Sequence, residues 1–125
     1  MIPKLDGEII AKAELAFMLR FWTESDWQVN LEGAVTLIPD DGPATVLHDD
    51  VMAAALPDDL RWLFGARITK VEVAVAGDLI VGFADRHLKC AADPDYESWQ
   101  LYGPRGEIIV CGPGGRLTEW GPRRD

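Results

Sequence analysis

Four groups of side chains in this chain have types and spacings that chemistry uses. Asp93, Asp95 and Glu97 alternate over five residues, so an extended backbone would set three carboxylates on one side, where a divalent cation would offset their repulsion. Calcium takes about six or more oxygens, and this stretch offers three carboxylates. Pro94, Tyr96 and Trp99 favour a rigid loop docked on the strands that follow, its carboxylates exposed or accepting backbone N–H groups. His48-Asp49-Asp50 puts an imidazole beside two carboxylates, yet sequence neighbours do not converge on one ion, and a surface loop with a helix cap accounts for them. His87 follows Asp85-Arg86, while Ser25 and Ser98 lack any signature joining them to a histidine in a nucleophilic triad. Cys90 and Cys111 lack metal-ligand spacing and are too few for a disulfide scaffold; by number alone they could meet across a sheet, but they read as buried, reduced thiols. No catalytic residue, cofactor or metal site is assigned, and the three-carboxylate stretch is the one opening toward a metal-dependent enzyme.

The elements that would hold these groups are β-strands. Ser98–Tyr102, Glu107–Cys111 and Arg116–Trp120 are separated by Gly103-Pro104-Arg105-Gly106 and Gly112-Pro113-Gly114-Gly115, which read as tight turns. Connections this short join antiparallel neighbours and leave no room for a parallel crossover. The second glycine run is no phosphate cradle, because it lacks the Gly-Lys-Ser/Thr end and leads into a strand. With four residues in each loop, Leu101 would face Ile108, Trp99 would face Val110, and Val110 would face Leu117. Ile109, Cys111 and Trp120 would then point the other way.

Upstream, strands are expected over Ile9–Leu15, Phe17–Phe21, Trp27–Leu31 and Ala34–Ile38. Trp27, Val29 and Leu31 share one side, with Gln28 and Asn30 on the other. Strands resume over Arg67–Val75, Leu79–Phe83 and His87–Ala91, with reversals at Gly77-Asp78 and Asp85-Arg86. Between these blocks, Asp49 or Asp50 would cap a helix over Val51–Leu56, and Pro57 would open a second one running to Phe64. Leu56, Leu60 and Leu63 or Phe64 would form its buried stripe. The expected fold is α+β, predominantly antiparallel β, with one or two short helices near residues 49–64. The expected organisation is one domain spanning 1–125. Leu5-x-Gly7-x-x-Ile10-x-Lys12-x-Glu14 recurs as Leu63-x-Gly65-x-x-Ile68-x-Lys70-x-Glu72, which suggests pseudo-repeats over 5–38 and 63–120.

Charge narrows the partners. Of the net charge of -9, residues 1–62 carry -8, twelve acids against Lys4, Lys12, Arg20 and Arg61. That balance disfavours nucleic-acid backbones and suits a basic protein partner, with Asp40, Asp41, Asp49, Asp50, Asp58 and Asp59 as its contact acids. No apolar run reaches the roughly 20 residues of a membrane span, and MIPKLDGEII lacks the apolar centre of a secretory signal, so a cytoplasmic protein without membrane contact is expected.

A resemblance then emerges from several motifs together: Trp27-x-Val29-x-Leu31-Glu32-Gly33, Phe83-Ala84-Asp85, Asp93-Pro94-Asp95-Tyr96-Glu97-Ser98-Trp99 and Pro113-Gly114-Gly115-x-Leu117-x-x-Trp120. With them the chain resembles a family of small uncharacterised actinobacterial proteins, DUF6188, over nearly its whole length. Asp85-Arg86 stands where such proteins usually carry Asp-Gly. The resemblance implies no activity, cofactor or catalytic residue, although some similar small proteins look like immunity partners of bacterial toxins. The reading is a non-enzymatic protein-binding module; the alternatives are a toxin-immunity protein, a structural homo-oligomer and a metal-dependent enzyme.

Overall fold

The computed structural model describes residues 5–47 and 58–121. Its strands are β1 (Ile10–Ala16), β2 (Met18–Thr23), β3 (Gln28–Leu31), β4 (Val35–Pro39), β5 (Thr45–Leu47), β6 (Lys70–Val73), β7 (Leu79–Gly82), β8 (Arg86–Cys90), β9 (Trp99–Tyr102), β10 (Ile108–Cys111) and β11 (Leu117–Trp120). They form a six-stranded sheet, β1-β2-β3-β9-β10-β11, and a five-stranded sheet, β5-β4-β8-β7-β6. Neighbouring strands run antiparallel throughout.

The α+β expectation is overturned. Helical structure among the described residues amounts to two short 3-10 segments, Asp58–Leu63 and Pro113–Gly115. Leu60 and Leu63 are buried, as the expected stripe required, but they lie three residues apart, the spacing that a 3-10 turn stacks on one edge. Six residues therefore suffice to bury them, and Gly65, at φ +81°, redirects the chain just beyond. Phe64 is exposed. The expected helix over Val51–Leu56, its caps Asp49 and Asp50, and Pro57 lie outside the described residues.

The C-terminal meander is present with its register shifted. Leu101 faces Ile109, Trp99 faces Cys111, and Cys111 faces Leu117. Gly103 closes the ladder with Glu107 at 2.8 Å, so the loop is three residues, Pro104-Arg105-Gly106, with Gly106 at φ +95°. Gly112 and Arg116 close the next turn in the same way, again around three residues. Changing the loop length by one turns every side chain to the opposite face. Ile109 and Cys111 therefore join Trp99 and Leu101 in the core, while Ile108 and Val110 look outward and Leu117 stays exposed.

One apolar core lies beneath both sheets. The six-stranded sheet supplies Leu15, Leu19, Phe21, Val29, Leu31, Trp99 and Leu101, and the other supplies Val35, Leu79, Val81 and Leu88. Phe17, grouped with Leu19 and Phe21 by simple alternation, instead sits exposed at the β1–β2 tip with φ +63°.

The two L-x-G stretches hydrogen-bond to each other. Gly7 N–H donates to the Ile68 carbonyl at 2.7 Å and Gly65 N–H to the Ile10 carbonyl at 2.8 Å. Ile10 N–H donates to Ala66 at 2.9 Å and Ile68 N–H to Glu8 at 2.8 Å. Exchanging Leu5, Gly7, Glu8 and Ile10 for Leu63, Gly65, Ala66 and Ile68 maps this set onto itself, with the Ile9–Arg67 bridge at its centre. Each stretch leads into a three-strand meander, β1-β2-β3 or β6-β7-β8. The chain then crosses over: β4 pairs with β8, and β9 pairs with β3. Val29 opposite Leu101 in one sheet matches Leu88 opposite Leu37 in the other, and Leu31 opposite Trp99 matches Cys90 opposite Val35.

Candidate functional site

Of the acids expected to meet a partner, four lie on two described elements. Asp40 and Asp41 lie exposed on the β4–β5 turn, and Asp58 and Asp59 open the 3-10 segment. Asp49 and Asp50, with His48, fall outside the described residues.

Asp93, Asp95 and Glu97 do not converge. Asp93 Oδ1 accepts the N–H groups of Asp95 at 2.8 Å and Tyr96 at 3.1 Å, a local turn that uses the carboxylate to shape the loop. The Asp93 carbonyl takes the Gly114 N–H at 2.8 Å, docking the loop on the β10–β11 turn. Glu97 reaches Gln100 instead, at 3.4 Å, and Tyr96 projects outward. Among the described residues, no three His, Cys, Asp or Glu side chains form a group able to hold a metal ion.

Both cysteines are buried free thiols. Cys90 Sγ lies 3.2 Å from the Ser98 carbonyl and Cys111 Sγ lies 3.5 Å from that of Gly77. Burial pushes the Cys90 thiol up to about 12, which leaves it an unreactive apolar group at neutral pH.

Two other places are built as surfaces. The first is the outer face of the six-stranded sheet, where the register lines up two rungs across every strand. Lys12, Trp22, Gln28, Tyr102, Ile108 and Trp120 form one; Glu14, Arg20, Asn30, Gln100, Val110 and Thr118 form the other. Two-residue periodicity turns them away from the core positions between them; Asn30 and Gln100 are nonetheless buried, and Trp22, Gln28, Tyr102, Ile108 and Val110 half-buried. The second rung is locked by hydrogen bonds: Asn30 Oδ1 accepts Arg20 Nε at 3.1 Å and Gln28 Nε2 at 3.0 Å. Arg20 also meets Glu14 at 3.3 Å, and Gln100 Nε2 donates to Glu32 and Glu97. Trp22 Nε1 donates to Gln28 Oε1 at 3.2 Å, and Lys12 Nζ stands 4.8 Å from the Trp22 ring centroid. Trp120, at the open β11 edge, is 54% exposed. The face is thus a rigid polar strip beside an aromatic and aliphatic one.

The second place is a cleft of about 410 Å³ where the 3-10 segment meets the β7–β8 turn, lined in part by Trp62, Arg67, Thr69, Phe83, Asp85 and Arg86. Trp62 meets Phe83 edge to face, with centroids 5.0 Å apart, and carries the Arg86 guanidinium 4.5 Å above its ring. Arg86 grips Asp85 with Nε at 3.0 Å and Nη2 at 3.1 Å. That fork holds the Asp85 carboxyl below its ordinary range and raises Arg86 above its own.

With this geometry established, the comparison with known families is decisive on kinship. The model of a family of unknown function, DUF6188, matches residues 1–121. The chain belongs to DUF6188. No curated protein and no solved structure matches it.

The surface residues of this DUF6188 protein were hard to find from sequence for a definite reason. Trp22, Tyr102, Ile108 and Trp120 are far apart in the chain, and only the crossing of β9 beside β3 joins them. One signal was present in Trp27 to Leu31, whose outward positions are Gln28 and Asn30 beside an aromatic-rich strand. The cleft had less warning, because Asp85-Arg86 reads as an ordinary turn pair.

Proposed function

We propose that this DUF6188 protein is a non-enzymatic module that binds a protein partner on the outer face of its six-stranded sheet. The observation that carries this reading is the rung Trp22–Gln28–Tyr102–Ile108–Trp120, a contiguous aromatic and aliphatic strip left outside the core. Aromatic side chains fixed on a rigid support lose little entropy on binding and are enriched among the residues that carry interface energy. Hydrogen bonds in the neighbouring rung hold that support in place.

A partner bearing lysine or arginine suits this face. Glu32 and Glu97 both approach the Gln100 amide and Glu14 lies in the same rung, against Lys12 and Arg20. An arriving cation would relieve the repulsion between those carboxylates. The same acids disfavour a nucleic acid, although aromatic sheet faces can stack bases. Asp40 and Asp41 would add to the long-range field without forming part of the contact. The buried free thiols fit a cytoplasmic setting.

A second reading, self-association, is favoured by β11, an edge strand whose four residues are all exposed, including Leu117 and Trp120. Edge strands can add a strand from another chain. One experiment tests both. Tagged protein and its Ile108→Lys and Val75→Lys variants would be crosslinked and recovered from native cells, after equal stability is shown by thermal melting. Loss of a reproducible basic partner in I108K, with retention in V75K, supports docking on the sheet face. Retention in I108K refutes it, and crosslinks to the same chain alone favour self-association.

A further inference from the structure

We propose that the cleft beside Trp62 binds an aromatic monocarboxylate, with its ring against Trp62 and Phe83 and its carboxylate held by Arg67 and Arg86. None of these residues belongs to the sheet face described above. The volume of about 410 Å³ falls within the range of small-molecule sites.

The cleft joins core to surface: Phe83 belongs to the apolar core and Trp62 packs against it, while Arg67 is exposed and Arg86 half-buried. In the first meander, Thr23 N–H donates to the Trp27 carbonyl at 2.9 Å; in the second, Phe83 N–H donates to the Arg86 carbonyl at 2.8 Å. The two corners hold equivalent places in their meanders, the first spanning three residues, Glu24-Ser25-Asp26, and the second two, Ala84-Asp85. Thr23 and Trp27 stand where Phe83 and Arg86 do, and Ile9 faces Arg67 across the central bridge. The first corner thus closes on an aromatic side chain, Trp27, with no guanidinium at these positions, so the two arginines are what the cleft adds to the shared scaffold.

The Trp62 indole N–H is buried and has no hydrogen-bond partner among the described residues. A buried tryptophan normally satisfies that donor, so the ring is positioned by Phe83 and Arg86 at the expense of its polar end. The arrangement offers an aromatic wall with a guanidinium fixed beside it.

Arg67 and Arg86 against Asp85 leave the cleft cationic by one unit in a chain of net charge -9. Arg86 commits Nε and Nη2 to Asp85, and Arg67 commits Nη1 to the Gly7 carbonyl at 3.1 Å. Among the described residues, the Arg86 Nη1 and the Arg67 Nε and Nη2 hydrogens remain for an incoming acceptor. Guanidinium groups match a planar carboxylate, while Asp85 would oppose a more highly charged anion.

The carboxylate could belong to a free small acid or to the C-terminus of a peptide, and the probes separate these. Full-length protein labelled for heteronuclear NMR would be titrated with 1-naphthoate, with neutral 1-naphthamide, and with an acetylated tripeptide ending in phenylalanine, as free acid and as amide. The expected result is a shift of the Trp62 indole resonance with naphthoate, weaker binding of naphthamide, and an affinity reduced about tenfold in Arg67→Gln. Arg67 is exposed, so R67Q should remain folded; its melting temperature and spectrum would check this. Tighter binding of the free-acid peptide than of naphthoate, lost in its amide, identifies a chain terminus as the source of the carboxylate. Absence of Trp62 shifts with both acids, equal binding of naphthamide, or unchanged affinity in folded R67Q would each overturn the proposal.

Discussion

The Trp99 indole N–H donates to the Gly77 carbonyl at 2.9 Å, joining the start of β9 to the β6–β7 turn of the opposite sheet. Trp99 is fully buried, and the same carbonyl lies 3.5 Å from Cys111 Sγ. Trp99→Ala should therefore cost about 3–5 kcal/mol in urea unfolding. Trp99→Phe keeps most of the apolar contact but strips the carbonyl of its indole donor, and should cost about 1–3 kcal/mol. A loss below about 1 kcal/mol for W99A would show that this ring does not hold the sheets together.

Gly77 makes a sharper test of that junction. It adopts φ +98°, and a Cβ there would lie 2.6 Å from the Gly115 Cα, backbone that cannot swing aside. Gly7 has a similar φ of +88° but open space around it. Gly7→Ala should cost about 1–2 kcal/mol for conformation alone. Gly77→Ala should add about 1–3 kcal/mol of crowding. Equal losses in thermal or urea unfolding would mean that the two turns are not pressed together.

These contacts mark where sequence reading succeeds and where it stops. Alternation located the strands of both meanders because each buries one face, and Trp27, Val29 and Leu31 fell on the core side as expected. The meander register failed at Gly103, where a hydrogen bond to Glu107 shortens the loop by one residue, a difference that composition does not encode. The helix expectation failed at Leu60 and Leu63, since a three-residue spacing suits a single 3-10 turn as well as an α-helix. The sheet face and the cleft both depend on long-range pairing, which local periodicity cannot report.

Phe17 breaks the alternation of its strand for a reason open to measurement. It is 62% exposed at φ +63°, a conformation costly for a bulky side chain. At ordinary positions glycine is less stable than alanine by about 0.5–1 kcal/mol. Here the order should invert: Phe17→Gly should unfold at a higher urea concentration than Phe17→Ala, because alanine retains the left-handed penalty. The ordinary order would show that the tip relaxes to negative φ in solution.

Cys90 gives the structure a signature in alkaline solution. Burial raises its thiol from 9.0 to about 12, so the folded state holds this proton over a range in which the unfolded chain releases it. Its contribution to stability is complete below about pH 9 and is lost progressively as pH rises toward 12. Unfolding free energy should decline across that window, and Cys90→Ala should flatten the decline while costing stability at neutral pH through the cavity it leaves. Iodoacetamide at pH 8 should label native Cys90 far more slowly than the urea-unfolded thiol, because the thiolate is both scarce and enclosed. Rapid native labelling, or an unchanged pH profile in C90A, would place this thiol at a surface rather than in the core between the two sheets.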